Sequence, residues 1–303
     1  MTISTILVGC DLSEGSDQAL DRAIAIAEQH GARVVLVHAQ ADDAPIADVD
    51  NEVLAQIGEV SAAIRVAEAR ELATRMATIS ARGIKTDVIS RIGPPGEILC
   101  KAAIDEAAEL IVVGTHGRTG ISRFLIGSVA ADIIRLATCD VLVCRGTAAK
   151  SQFLRPLLAI DFSPTGHKAL AHGAELAAPG APIDVIHAWQ LPAGSWGATL
   201  LGQARFPWNT VRDAVLTGVQ AQATKFEQEA RAAGRELKVE LVQGQPTTVV
   251  TQTAERGGHD LIIVGAHGHR GVRRLLLGSV AESTIRHAPC SVLVVHEPAH
   301  EKK

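Results

Sequence analysis

The 303-residue chain contains no tyrosine, and aromatic residues make up only 3% of it. Stacking platforms for single-stranded nucleic acid are built from aromatic rings, so this composition argues against such a partner. An excess of one charge is missing too. There are 29 Lys and Arg against 33 Asp and Glu, a net charge of −4. Nothing in that balance favours nucleic acid or an acidic membrane surface. No stretch approaches ~18 consecutive apolar residues, and the start, MTISTILVGCDLSEG, has no basic region before a long apolar run. The expectation is a cytoplasmic protein without signal peptide or membrane span. The five cysteines, at 10, 100, 139, 144 and 290, form no C-x-x-C pair. Neither a zinc ribbon nor a disulfide framework is indicated, and the cysteines read as small buried hydrophobes.

Several signatures of chemistry are absent as well. There is no G-x-x-x-x-G-K-[ST], no G-x-G-x-x-G and no G-x-S-x-G. This weakens a P-loop NTPase, a dinucleotide oxidoreductase and an α/β-hydrolase. What the chain does have is a duplication. Residues 110–130 read LIVVGTHGRTGISRFLIGSVA and residues 261–281 read LIIVGAHGHRGVRRLLLGSVA; 13 of the 21 positions agree when residue n is paired with n+151. The length suggests two domains of about 150 residues, and the offset agrees. The expected domains are 1–148 and 152–298, with a small, polar seam near 146–155.

Each half alternates β-branched runs with helical stretches, the pattern of a parallel sheet covered by helices. In the first half, strands are expected at 5–9, 33–39, 84–91, 110–114 and 141–145. Helices are expected at 16–30, about 52–82, within 93–108 and from about 128 to 137. The second half repeats the order, with strands at 156–160, 183–188, 237–242, 261–265 and 292–296. Its helices are expected at about 164–178, 210–233, 246–257 and 279–287. Right-handed crossovers would make an α/β protein of two tandem open parallel five-stranded sheets with helices on both faces. Ligands of such sheets sit beyond the carboxyl ends of the strands, where the strand order reverses. Those ends carry Asp11, His38-Ala39 and Gly114, and in the second half Asp161, His187-Ala188 and Gly265.

The repeated loop reads G-x2-G-x9-G-S in both copies. Gly114 and Gly265 stand where a strand ends. Gly117 and Gly268 admit a positive φ and let a ligand approach without a Cβ in the way. Gly127-Ser128 and Gly278-Ser279 open a helix, whose first amides lack intrahelical partners and carry partial positive charge. A phosphate fits there, and the hydroxyl adds a donor. The serines also read as plain N-caps, and Ser279-Val-Ala-Glu282 fits a capping box. Asp11 and Asp161 likewise read either as ligand contacts or as caps of the next helix. His38 and His187 read as satisfied, half-buried histidines, since one per half makes no metal cluster.

This loop after the fourth strand, with Asp ending the first, resembles the universal stress protein family, and the likeness covers nearly the whole chain twice. It implies a tandem member of the ATP-binding class, with the Rossmann-like fold of the adenine-nucleotide alpha-hydrolases. It implies that Cys10-Asp11 and Ile160-Asp161 lie near the ribose or adenine, and that Ala39 and Ala188 border the adenine. It implies that Gly114, Gly117, Gly127, Ser128 and Val129, with Gly265, Gly268, Gly278, Ser279 and Val280, cradle ribose and phosphates. His116 and Arg118, or His267 and His269, would reach a phosphate, and Mg²⁺ would accompany the ATP. The second site departs from the first: Ala-Ile-Asp replaces Gly-Cys-Asp, and His269 replaces Arg118. Unequal affinities are expected. In the family the last strands of two domains pair, so the two halves are expected to form an internal pseudo-dimer, and a homodimer of the whole chain is compatible with this.

Trp189, Trp196 and Trp208 fall in one stretch whose first-half counterpart is acidic and lacks aromatics. It reads as a partner surface or as rings packed over the core. Three functions compete. The first is a nucleotide-binding module acting through partners under stress. The second is a slow ATPase or nucleotidyl transferase, weakened because no carboxylate pair for Mg²⁺ and no histidine motif near the first strand are present. The third is a scaffold that binds no nucleotide.

Overall fold

Buried β-branched runs set the frame. The computed structural model describes residues 3–41, 51–115, 127–146, 152–191, 208–268 and 277–296. The chain divides into two compact units, Met1–Gln152 with His296–Lys303 in one and Phe153–Val295 in the other. The first unit runs β1 (Thr5–Gly9), α1 (Glu14–His30), β2 (Arg33–Gln40), α2 (Asn51–Ser80), β3 (Thr86–Ile92), α3 (Pro95–Asp105), β4 (Leu110–Gly114), α4 (Ser128–Leu136) and β5 (Asp140–Cys144). All its strand pairs are parallel, in the order β3-β2-β1-β4-β5.

The second unit runs β6 (Pro156–Ala159), α5 (Thr165–Leu176), β7 (Asp184–Trp189), α6 (Trp208–Ala232), β8 (Val239–Gln243), α7 (Pro246–Gly257), β9 (Leu261–Gly265), α8 (Ser279–His287) and β10 (Ser291–Val295). Its order, β8-β7-β6-β9-β10, is the same topology and again parallel. In each unit the order reverses between the first and fourth strands, so a crevice is expected at their carboxyl ends.

Two glycines show that helices cover both faces of the first sheet. A Cβ on Gly9 would meet Leu99 of α3, and a Cβ on Gly114 would meet the backbone of Gly15 in α1. The Cβ on Gly9 would also meet the side chain of Val113, the neighbour of Gly114, and successive strand residues point to opposite faces, so these two directions are opposite. Local chemistry fixes the ends of α1. Ser13 Oγ accepts from Ser16 N at 3.3 Å, and Gly31 closes the helix in the left-handed region at φ 67°.

β3 starts at Thr86, two residues later than the run of apolar residues suggests. The reason is pairing: Thr86 is the first residue opposite β2, facing Val34. Trp189 is buried at the end of β7, which favours packing over a partner surface for that ring. Trp196 lies outside the described residues. Among those described, no helix is long and apolar enough to cross a membrane.

Only the last part of α2 meets the core. Leu72 and Ile79 are buried, whereas Val53, Ile57, Val60, Ile64 and Val66 are exposed. Arg75 ties the helix to α1. Its Nε and Nη2 reach the two carboxylate oxygens of Asp17 at 2.7 and 3.0 Å, and Nη1 reaches Glu71 at 2.9 Å. The Asp17 hydrogen bond raises the Arg75 pKa further above its usual value. Arg75→Ala is expected to cost the first unit about 1 kcal/mol, since the fork is bidentate but half in water. A thermal melt should fall by about 2–4 °C, with Arg75→Lys falling nearly as far because lysine cannot form the fork.

Candidate functional site

The backbone just past β1 turns in a way that few side chains tolerate. Leu12 has φ 65° and its second-unit counterpart Phe162 has φ 61°. Bulky residues in the left-handed region cost roughly 1–2 kcal/mol each, and such outliers gather at functional sites. The turn is braced by the preceding aspartate. Asp11 Oδ1 accepts from Ser13 N at 3.1 Å and from Ser13 Oγ, and Asp161 Oδ1 accepts from Ser163 N at 3.0 Å. Neither aspartate is a helix cap. The caps are Ser13 for α1 and Pro164 for α5, because the left-handed residue places each Asp ahead of the helix.

At the end of the second strand a histidine fastens to the same turn. His38 Nδ1 lies 2.7 Å from the Cys10 carbonyl oxygen, and His187 Nδ1 lies 2.8 Å from that of Ile160. A carbonyl only accepts, so Nδ1 of each ring carries the proton. The half-buried, satisfied reading suits His187, whose ring packs on Phe162 with centroids 4.4 Å apart. It fails for His38, which is 2% exposed and whose Nε2 makes no hydrogen bond. Its nearest charged neighbour is a carboxylate of α2, with Glu68 Oε2 3.4 Å from Nε2.

The glycine loop begins with a close approach. A Cβ on Gly114 would stand 2.6 Å from the Gly15 carbonyl oxygen, so no other residue lets β4 end against the start of α1. In the second unit the contact on Gly265 is looser, with Thr165 Cγ2 at 3.3 Å. The two ends of each loop are pinned by one bond. Gly127 N donates to Thr115 O at 3.1 Å, and Gly278 N to Ala266 O at 2.8 Å.

Gly127 and Gly278 are the N-caps of α4 and α8, and neither cap carries a side-chain hydrogen bond. The N-cap reading of Ser128 and Ser279, and with it the capping box at Ser279, is therefore corrected. Pinning the glycine makes each serine the first residue inside the helix, one position too late to cap it. The first intrahelical acceptors, the carbonyls of Gly127 and Gly278, are taken by Ala131 N and Glu282 N. The amides of Ser128-Val129 and Ser279-Val280 precede that bond and point out of the helix start.

These pieces enclose one cleft per unit, each at the carboxyl ends of the strands. The first is about 660 Å³ and brings together Cys10, Asp11, His38, Ala39, Gly114, Gly127, Ser128 and Val129. The second is about 480 Å³ and brings together Ile160, Asp161, His187, Ala188, Gly265, His267, Gly268, Gly278, Ser279 and Val280. Both volumes fall in the range of small-molecule sites. His116, Gly117, Arg118 and His269 lie outside the described residues. Among the described residues, no three His, Cys, Asp or Glu side chains gather as a metal site.

The sequence reading missed one wall. Ser61, Ile64, Arg65 and Glu68 of α2 line the first cleft. The signal was present, since Glu68, Arg65 and Ser61 stand 4, 7 and 11 residues before buried Leu72 on one helix face. Their polarity disguised that face as solvent-exposed.

Comparison with known proteins agrees with this fold. The profile of the Universal stress protein family matches the chain twice, over residues 2–145 and 153–296. The chain belongs to the universal stress protein family. Members are generally non-enzymatic stress-response proteins. A universal stress protein of Mycolicibacterium smegmatis is 27% identical over 314 residues, covering 96% of each chain, so it too has the tandem length. One from Methanocaldococcus jannaschii is 35% identical over 94 residues, which are 31% of this chain and 55% of that relative. The crystal structure of a universal stress protein from Archaeoglobus fulgidus shares the fold, with a TM-score of 0.67 at 23% identity over 98% of this chain and 97% of that one. A putative universal stress protein from Pseudomonas aeruginosa gives 0.60 at 17%, over 97% and 93%.

Proposed function

We propose that the chain is a pair of adenine-nucleotide-binding domains, residues 1–148 and 152–298, each holding ATP in its cleft and acting through nucleotide-dependent shape or partner binding. The observation that carries this is the start of α4 and of α8. In both units a glycine N-cap leaves a serine hydroxyl and two backbone amides facing a cleft that already holds an aspartate and a strand-end alanine. Such a helix start suits a phosphate, and the cleft volumes suit a nucleotide. The glycine pattern that marks the ATP-binding class of the family stands in both halves. The proposed roles are phosphate contacts for Ser128, Val129, Ser279 and Val280, base borders for Ala39 and Ala188, and ribose or base contacts for Asp11 and Asp161. Magnesium, where present, would arrive on the phosphates.

The test is the nucleotide content of the purified, undialysed protein, denatured and run on anion exchange. About two ATP per chain are expected if both cradles work. ADP in place of ATP, with sustained phosphate release that Asp11→Ala abolishes, would move the reading to a slow ATPase. No nucleotide, and no binding of added millimolar ATP, would leave the scaffold reading instead.

A further inference from the structure

The two clefts share a floor but not a wall, and the difference is a proton. In the first unit His38 is buried, its Nδ1 spent on the Cys10 carbonyl. Its Nε2 faces Oε2 of Glu68 at 3.4 Å, and the Glu68 side chain is only 12% exposed. A neutral imidazole with its hydrogen on Nδ1 offers a bare lone pair at Nε2, and an ionised carboxylate also only accepts. Two acceptors that close, shielded from water, repel one another. One additional proton, on the ring or on the carboxyl, turns the contact into an attraction.

We propose that His38 and Glu68 form a proton-holding pair in the wall of the first cleft, so that this cleft, unlike the second, takes up a proton when an anionic nucleotide binds. The proposal rests on the reading of the clefts as nucleotide sites.

The surrounding charges set the sign. The charged and titratable groups that line the same cleft are Asp11 and Cys10 from the end of β1, and Arg65 from α2 itself. Arg75 stands near Cys10 but is tied to Asp17 and Glu71. With one proton on the pair, the formal charges of His38, Glu68, Arg65 and Asp11 sum to zero. Without it the wall is negative. An incoming polyphosphate therefore favours the protonated form, and by linkage the protonated form favours the polyphosphate.

The second unit lacks the pair. Leu72 and Ile79 of α2 correspond to Ala223 and Ala230 of α6 at the 151 offset, and all four are buried. On that register Glu68 becomes Val219 and Arg65 becomes Leu216. Among the described residues none from α6 lines the second cleft, and His187 packs on Phe162. The duplication has left one site able to sense pH and one that does not share its device.

The experiment is calorimetric titration of the full chain with ATP at about pH 8 and about pH 6, in buffers of different ionisation enthalpy, for the unmodified protein and Glu68→Gln. Gln keeps the volume and can donate to Nε2, so it needs no additional proton. ATP titrates its own phosphate, and that contribution cancels between the two proteins. The unmodified chain is expected to take up as much as about half a proton more per chain than Glu68→Gln, and its first-site affinity to gain on the order of three- to tenfold more between those pH values. Repeating the comparison on a Gly268→Val background confines the signal to the first cleft. Equal proton uptake and equal pH profiles in both proteins, with ATP bound, would overturn this proposal alone. No ATP binding by the unmodified chain would overturn the nucleotide reading and this proposal with it.

Discussion

Valine in place of Gly268 is expected to halve the adenine nucleotide carried by the purified chain, from about two per chain to about one, while the fold stays intact. A Cβ at this position would stand 2.5 Å from Asp161 Oδ2, inside the second cleft. The other carboxylate oxygen of Asp161 holds Ser163 N, and that bond supports the strained turn at Phe162. Valine therefore both fills the ligand's approach and drives the aspartate out of its place. A loss of about 100-fold in second-site affinity, or about 3 kcal/mol, is the expected scale. Gly114→Ala should behave differently. Its Cβ meets the Gly15 backbone rather than the end of a side chain, so the first unit should lose about 3 kcal/mol of stability along with its nucleotide. Anion exchange of the released nucleotide and thermal melts of the two variants separate these outcomes. Two nucleotides per chain in Gly268→Val would remove Gly268 and Asp161 from the site.

The repeat made much of this visible beforehand. β1, β4 and β9 run over the expected residues because each is a short β-branched run closed by glycine. Helix ends at Gly31 and Gly258 follow from the left-handed conformation that glycine adopts without cost. What stayed hidden depends on contacts distant in sequence. Ser128 and Ser279 look like caps until the bond from the preceding glycine to Thr115 or Ala266 shifts the cap by one residue. Leu12 and Phe162 carry no local sign of a positive φ; the turn is imposed by Asp11 and Asp161 on one side and the helix start on the other. Arg65 and Glu68 look like a solvated face because the apolar stripe of α2, read alone, runs through Val53, Ile57, Val60 and Ile64, which are exposed. Polarity misled there because an open cleft, unlike a core, accepts charged walls.

Alkaline pH is expected to destabilise the first unit by several kcal/mol before it touches the groups that usually dominate that range. Cys100, Cys139 and Cys144 lie in this unit, unpaired, and burial pushes their thiols up to about 11, about 12 and about 12. For Cys139 the neighbouring Asp140 and Cys100 add to the burial effect. An unfolded chain ionises the same thiols near an ordinary value of about 8.5. The sign follows from proton counting. Above that value the unfolded state has lost protons that the folded state keeps, so the thiol contribution is fully present below about pH 8.5 and lost as pH rises toward 11 or 12. Each thiol contributes a slope of up to about 1.4 kcal/mol per pH unit, and the three together up to about 4, less whatever the Cys100–Cys139 coupling removes. The usual confounder is absent, because the chain has no tyrosine whose phenol would titrate in the same window. Urea unfolding at about pH 8, 9 and 10 should show the midpoint falling steeply. Replacing the three cysteines by alanine should lower stability at about pH 8 through lost packing but flatten the dependence above it. A slope that survives the triple replacement would show that the Cys10 thiol, which burial also raises, or the lysines govern the alkaline limit of this unit, not these three thiols.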